Sequence, residues 1–188
     1  MDRPTAIDLS IRVTSTLSDE EREELLGMLR EAFGPGRDGA PHRYDETSWQ
    51  HCQGGTHFLL RHEGRLASHA ALVPRTVEQG GLQWRCAYGE SMATLPDLRH
   101  LGLGTCLLAL ASQEVKNAYD IGAFGASKYG YYGRMGWERW PGRTFHLKDG
   151  KRAESCANGG DVMYLLPDHS AIDPNGELTI DWREGDIW

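Results

Sequence analysis

The chain has 188 residues, 39% of them hydrophobic and 25% charged, with a formal net charge of −7. Those values fit one globular domain, residues 1–188, with a core large enough to need no disulfide support. They argue against nucleic acid as a partner, because no Lys/Arg cluster is present, and the longest apolar stretch, "CLLALA" at 106–111, is far too short to span a bilayer.

In chain order, "AIDLSIRVT" alternates as an opening strand, and "SDEEREELLGMLREAF" follows as a helix. Ser18 and Glu21 have capping-box spacing, acidic residues crowd the first turn, and Leu25, Met28, Leu29 and Ala32 recur at helical intervals. Residues 34–44 are a Gly/Pro/Asp loop, and a short helix is predicted from Asp45 through "ETSWQHC". "THFLLRH", the turn "EGR" and "LASHAALVPRTVE" predict a hairpin, and "QGG" turns into a third long strand, Leu82 to Leu95. Gly89 interrupts that strand and marks an expected bulge. Pro96 and Asp97 end it. A helix from about Leu101 to Tyr119, the short buried strand "IGAFGA", a short helix in "YGYYGRMGW" closing at Gly136, and a strand-rich remainder complete the chain. The mixture is neither a Rossmann alternation nor an all-β sandwich.

Cys52, Cys86, Cys106 and Cys156 are scattered without a CxxC pair, which fits neither a disulfide framework nor a zinc site. The N-terminal "MDRPTAIDLS" has no apolar signal core, so a cytoplasmic location and no membrane association are expected. The eight histidines are dispersed; His57 and His62 fall on opposite faces of one strand, and no metal site is expected. Trp49, Trp84, Trp137, Trp140 and Trp182 are expected to be core or interface anchors.

The most informative stretch is "LRHLGLGT", residues 98–105, directly before the apolar helix. A glycine turn opening a helix presents unbonded N–H groups and a positive dipole end to an anion. It is not a Walker loop, because Gly104 is followed by Thr105 without lysine. It is not a Rossmann fingerprint either, because Leu107 stands where a third glycine or alanine is needed. A plain helix start with a glycine turn remains open on these residues alone.

"RHLGLG" resembles the R/Q-x-x-G-x-G/A signature of the GCN5-related N-acetyltransferases (GNAT), and "YGRMGW" at 132–137 is similar to a second segment of that family. The resemblance extends over nearly the whole chain to the aminoglycoside 2′-N-acetyltransferases through "WQHCQGGTH", "SHAALVPR", "RCAYGESMA", "YGRMGWERWPG" and the terminal "DWREGDIW". It implies a mixed α/β (α+β-like) GNAT fold: a central, mostly antiparallel sheet with a bulged, splayed strand pair and helices on both faces. It also implies acetyl-CoA as co-substrate, an aminoglycoside as acceptor, no metal, and a homodimer.

By the same resemblance Glu90 is the proton acceptor and Tyr132 the acid toward the CoA sulfur, with Tyr129 and Tyr131 close by in sequence. Met92, Ala93 and Thr94 would pair with the pantetheine arm, and Arg99, His100, Leu101, Gly102, Leu103, Gly104 and Thr105 would hold the pyrophosphate. Asp45, Glu46, Ser48, Glu90, Ser127, Asp161, Asp186 and Trp188 would meet the acceptor, Trp188 through a terminal carboxylate. With neither a GxSxG elbow nor a Cys/His nucleophile pattern, direct transfer is expected over an acyl-enzyme.

The chain departs from the family in a longer 34–45 loop carrying Arg37, His42 and Arg43 beside its acids, in Ser48 at a carboxylate position, and in a reduced acidic run, "NGGD". These departures bring a less cationic acceptor such as kasugamycin into view beside the deoxystreptamine type. Two other readings stay open: acetylation of another amine, such as a polyamine or a protein N-terminus, and a non-catalytic CoA- or antibiotic-binding module.

Overall fold

The computed structural model describes residues 6–36, 43–126, 128–155, 161–185 and 187–188. The architecture is mixed α/β with a mostly antiparallel sheet, and the chain divides into two compact units. The first comprises residues 1–73 and 90–111, the second 74–89 and 112–188. Three elements contribute residues to both: β3 (Arg65–Gln79), β4 (Leu82–Thr94) and α3 (Leu103–Ala118).

In the first unit, β1 (Ile7–Val13) pairs antiparallel with β2 (Thr56–His62), and β2 pairs antiparallel with β3. Helix α1 (Asp19–Phe33) starts at the predicted capping box, with Ser18 and Glu21 each bonding the other's backbone N–H. It buries Leu25, Leu26, Met28, Leu29 and Ala32 against Trp49, Leu59, Leu66, Ala71 and Leu95. Trp49 comes from the short helix α2 (Glu46–Gln50), which Asp45 caps. In α3, Leu103, Leu107 and Ala111 are buried at intervals of one turn.

That core also contains polar groups. His57 on β2 and His69 on β3 are 0% and 1% exposed, with His57 Nδ1 3.0 Å from His69 Nε2. The pair is bonded at both ends, to Thr14 Oγ1 (2.9 Å) and to the Ser91 carbonyl (2.9 Å). Burial lowers the pKa of His57 to about 4 and that of His69 to about 3, the latter also opposed by its neighbour.

In the second unit, β4 pairs parallel with β5 (Ile121–Ala126) through Cys86↔Ile121, Ala87↔Gly122 and Tyr88↔Ala123. That ladder stops after three residue pairs. β5 pairs antiparallel with β9 (Asp161–Leu165), which pairs with β6 (Glu138–Arg139). On the other side, β10 (Leu178–Asp181) lies antiparallel to β3 and parallel to β7 (Thr144–Lys148), whose hairpin partner is β8 (Lys151–Glu154). The predicted helix after β5 is α4 (Tyr129–Gly133). Trp137 is 2% exposed, packs on Phe124 (4.6 Å between ring centres) and donates its indole N–H to Ser112 Oγ at 2.9 Å. Among the described residues no helix is long and apolar enough to cross a membrane.

Two predictions follow from these cores. A Cβ at Gly122 would stand 2.7 Å from Trp137 Cη2 and 2.9 Å from Val115 Cγ1. Gly122→Ala should therefore destabilise the fold by about 1–3 kcal/mol through overpacking, read as a lower urea midpoint at unchanged slope. An unshifted midpoint would contradict this packing. The second concerns acid. Both buried histidines have folded pKa values below the ordinary 6.5, so unfolding takes up protons once the pH drops below about 6.5. Stability should be fully present above that pH and fall as the pH falls towards 4, by up to ~1.4 kcal/mol per pH unit per histidine. Urea titrations between neutral pH and the onset of carboxylate protonation test this, and a flat midpoint would refute it.

Candidate active site

In the first unit the site is built around the end of β4. Ser91, next to Glu90, has φ 50, a left-handed conformation that is rare for a side chain other than glycine. The left-handed residue of β4 thus lies two positions after Gly89, where a bulge is expected from the sequence. A serine is held there because all its polar groups near the core are engaged: its carbonyl meets His69 Nδ1, and its Oγ lies 2.9 Å from Tyr44 Oη and 3.0 Å from Cys52 Sγ. Burial raises the Tyr44 pKa, with Cys52 adding to the shift and Glu90 contributing by its charge. Glu90, Met92, Ala93 and Thr94 are partly buried. The Ala93 carbonyl accepts from Ser68 Oγ at 2.9 Å on β3. Strand alternation turns the main-chain groups of Met92 to the opposite edge.

The glycine turn follows. His100 and Gly102 are both left-handed, at φ 74 and φ 81, on either side of exposed Leu101. A Cβ at Gly102 would meet no atom within 4 Å, so backbone conformation, and not crowding, requires glycine there. Leu103 is buried and anchors the first turn of α3, in which Gly104 and Thr105 lie. The Cys106 N–H donates to the Gly102 carbonyl at 2.9 Å, opening the helical ladder. The N–H groups at Leu103 and Gly104 therefore precede the helix's own ladder, at the positive end of a 16-residue helix. With open space at Gly102, this turn fits a pyrophosphate.

Arg99 has a structural part beside its charge. Its Nε donates to the Thr94 carbonyl (3.2 Å) and an Nη to the Ala32 carbonyl (2.9 Å), tying the turn to β4 and to the last turn of α1.

Of the acceptor candidates in this unit, Asp45 and Ser48 are brought together. Asp45 Oδ1 accepts from both the backbone N–H and the Oγ of Ser48, each at 2.9 Å, and these bonds lower its pKa. Glu46 is exposed in the first turn of α2.

In the second unit, Tyr132 lies on α4 with its ring edge-on to Phe124 (4.6 Å) and to Tyr131 (5.0 Å). Burial, with a smaller effect of Tyr131, pushes its pKa up to about 12, so the phenol keeps its proton at neutral pH. Tyr129 packs instead against the Arg139 guanidinium. Trp188 is anchored: its indole N–H donates to Ser155 Oγ at 2.9 Å, and its main-chain carbonyl lies against Gly125 so closely that a Cβ there would stand 2.7 Å from the oxygen. Arg75, 5% exposed in its side chain, donates to the Ile187 carbonyl at 2.7 Å and pairs with Asp181 at 3.3 Å. Its guanidinium covers one Tyr88 contact and Arg183 another, at 5.1 and 4.9 Å from the ring centre, while the Tyr88 hydroxyl accepts the Gly125 N–H.

Ser127 and Asp186 lie outside the described residues, and Asp161 is described only as the first residue of β9. Among the described residues no cluster of His, Cys, Asp and Glu is arranged to hold a metal. A hollow of about 520 Å³ beside Gln79, Arg152, Asp173 and Glu177 contains none of these candidates. The supports Tyr44, Cys52, Ser91, Arg75, Gly125 and Ser155 were not singled out by the sequence. Only Arg75, a lone cation after the apolar "AALVP", carries a visible signal there.

Residues 14–140 match the family described as Acetyltransferase (GNAT) domain. The chain is 34% identical over 180 residues to an aminoglycoside 2′-N-acetyltransferase of Mycolicibacterium fortuitum, covering 93% of this chain and 89% of that protein. Its fold is similar to a GNAT family acetyltransferase from Brucella melitensis solved in complex with acetyl-CoA (TM-score 0.60, 15% identity, 91% of this chain and 94% of that one). It is also similar to a probable N-acyltransferase from Enterococcus faecalis V583 (TM-score 0.57, 16% identity, 74% of this chain), of whose greater length it spans 33%. With the glycine turn and the short β4–β5 ladder in place, this chain belongs to the GNAT family of N-acetyltransferases.

Proposed function

We propose that this chain acetylates an amino group of an aminoglycoside, the 2′-amine being the expected position, with acetyl-CoA as donor and by direct transfer. The observation that carries the reading is the 34% identity over 180 residues to the Mycolicibacterium fortuitum aminoglycoside 2′-N-acetyltransferase. The exposed turn at His100–Thr105 supports the donor, because its backbone suits a pyrophosphate without a metal. In this reading the main chain of Met92–Thr94 pairs with the pantetheine arm.

The chemistry asks for two proton movements. The acceptor nitrogen forms its bond to the acetyl carbon as the C–S bond breaks, so the nitrogen must lose a proton and the sulfur gain one. Glu90 takes the first, directly or through water. Tyr132, protonated at neutral pH, supplies the second. Asp45, Glu46, Ser48, Ser127, Asp161, Asp186 and Trp188 are assigned to the acceptor, whose ammonium groups the carboxylates would neutralise. The longer loop and Ser48 favour including kasugamycin, a less cationic drug, beside deoxystreptamine substrates. A cytoplasmic homodimer is part of the same reading.

The deciding experiment incubates the protein with acetyl-CoA and a panel of aminoglycosides including kasugamycin, following free thiol and product mass. Mono-acetylated drug is expected; thiol release only with polyamines or peptides would overturn the substrate class. With the best acceptor, Glu90→Gln should lower kcat on the order of 10²-fold while acetyl-CoA affinity is retained; near-normal turnover would remove Glu90 from the role of base. Removing residues 186–188 should raise the acceptor KM strongly and leave acetyl-CoA affinity alone, Ile187 being anchored by Arg75 and Trp188 by Ser155. An unchanged acceptor KM would detach the tail from the substrate.

A further inference from the structure

The buried histidine pair has a hydrogen-bond direction that follows from its end at Ser91. The Ser91 carbonyl has no proton, so His69 Nδ1, 2.9 Å away, must donate. A doubly protonated ring is excluded by burial, which keeps both imidazoles neutral at neutral pH. His69 Nε2 is then an acceptor, and the proton in the 3.0 Å contact belongs to His57 Nδ1. His57 Nε2, left without a proton, accepts in turn from the hydroxyl of Thr14 at 2.9 Å, in competition with the Cys52 and Gly55 carbonyls, each 3.1 Å from the same hydroxyl. Both rings are Nδ1–H tautomers, and the series runs one way, from the end of β1 through β2 and β3 to β4.

The place where it ends matters. Ser91 is the left-handed residue directly after Glu90, in a strained conformation that persists only where the surroundings enforce it. Its side chain is held from the other direction by Tyr44 and Cys52. A core that needed only to be filled would use two aliphatic residues here, because an imidazole pair must be fully bonded to be tolerated.

We propose that His57 and His69 form a positioning relay for catalysis: the His69 Nδ1–H fixes the Ser91 carbonyl, and with it the turn in β4 that aims Glu90 and the main chain of Met92. The proposal rests on the assignment of Glu90 as proton acceptor. His69 is a positioning residue and touches no reacting atom; His57 sets its tautomer.

The test compares His69→Leu with His69→Asn in the full chain. Both remove the acceptor for His57, but an asparagine amide can occupy the Nδ1 position and donate to the Ser91 carbonyl, whereas leucine cannot. The leucine variant should lose about 10- to 100-fold in kcat, with the KM for acetyl-CoA changed little, and the asparagine variant should recover most of that loss. Equal kcat in the two variants would overturn the relay. Should the leucine variant not fold, long-range ¹⁵N–¹H spectra of the wild-type protein at neutral pH decide without substrate. Both rings should show a protonated Nδ1 and a bare Nε2, and an Nε2–H on either ring would overturn the proposal. Failure of the underlying assignment has a different signature, near-normal turnover in Glu90→Gln with the two tautomers intact.

Discussion

A left-handed serine inside a strand is the constraint on which the first unit is organised. Ser91 takes a conformation that most chains reserve for glycine, and its neighbours restrain its carbonyl and its hydroxyl. The restraints come from separate stretches: His69 from β3, Tyr44 from the segment before α2, and Cys52 from the segment after it. Those stretches are in turn placed by the α1 core, in which Tyr44, Trp49 and Cys52 are buried among Leu25, Leu29 and Leu66. Apolar packing therefore supplies the rigidity, and a few directional bonds deliver it to one backbone position beside Glu90.

The second unit solves a similar problem with a cation. Arg75 holds the segment at Ile187 in place. Its guanidinium is almost wholly buried, pairs with Asp181, donates to the Ile187 carbonyl and lies over the Tyr88 ring. Removing Arg75 would take the donor from the Ile187 carbonyl, whereas the exposed Asp181 carboxylate would be solvated. Gly125 completes the arrangement by having no side chain where the Trp188 carbonyl lies. A tail fixed in this way can present side chains with the precision of a loop on a rigid scaffold.

Much of this was legible in the sequence, for local reasons. Ser18 and Glu21 specify where α1 begins, the Gly80–Gly81 pair specifies the β3–β4 turn, and Gly102 marks a left-handed residue before a helix. Each is decided within a few residues of chain. The left-handed conformation falls at Ser91 and not at Gly89 because it is imposed by partners up to 47 residues away, of which the local pattern holds no trace. The histidines illustrate the same limit. His57 and His62 were separable by strand alternation, yet that His57 meets His69 depends on the β2–β3 register, in which Leu59 and not His57 stands opposite His69. The contact is diagonal, and only the assembled sheet reveals it.

Arg99 shows how a correct motif can conceal a second role. In the sequence it is a charge placed before a glycine turn, and an anion is its natural partner. In the fold two of its donors reach the carbonyls of Thr94 and Ala32, the end of a strand and the last turn of a helix. Backbone carbonyls at a helix C-terminus attract a cation for the same electrostatic reason that the N-terminus of α3 attracts an anion. One guanidinium thus lies between the negative end of α1 and the positive end of α3. By satisfying the first it fixes the turn that exposes the second, which places the anion site under the control of backbone geometry. Lysine could supply the charge at this position, but its single ammonium has no planar fork with which to span two carbonyls.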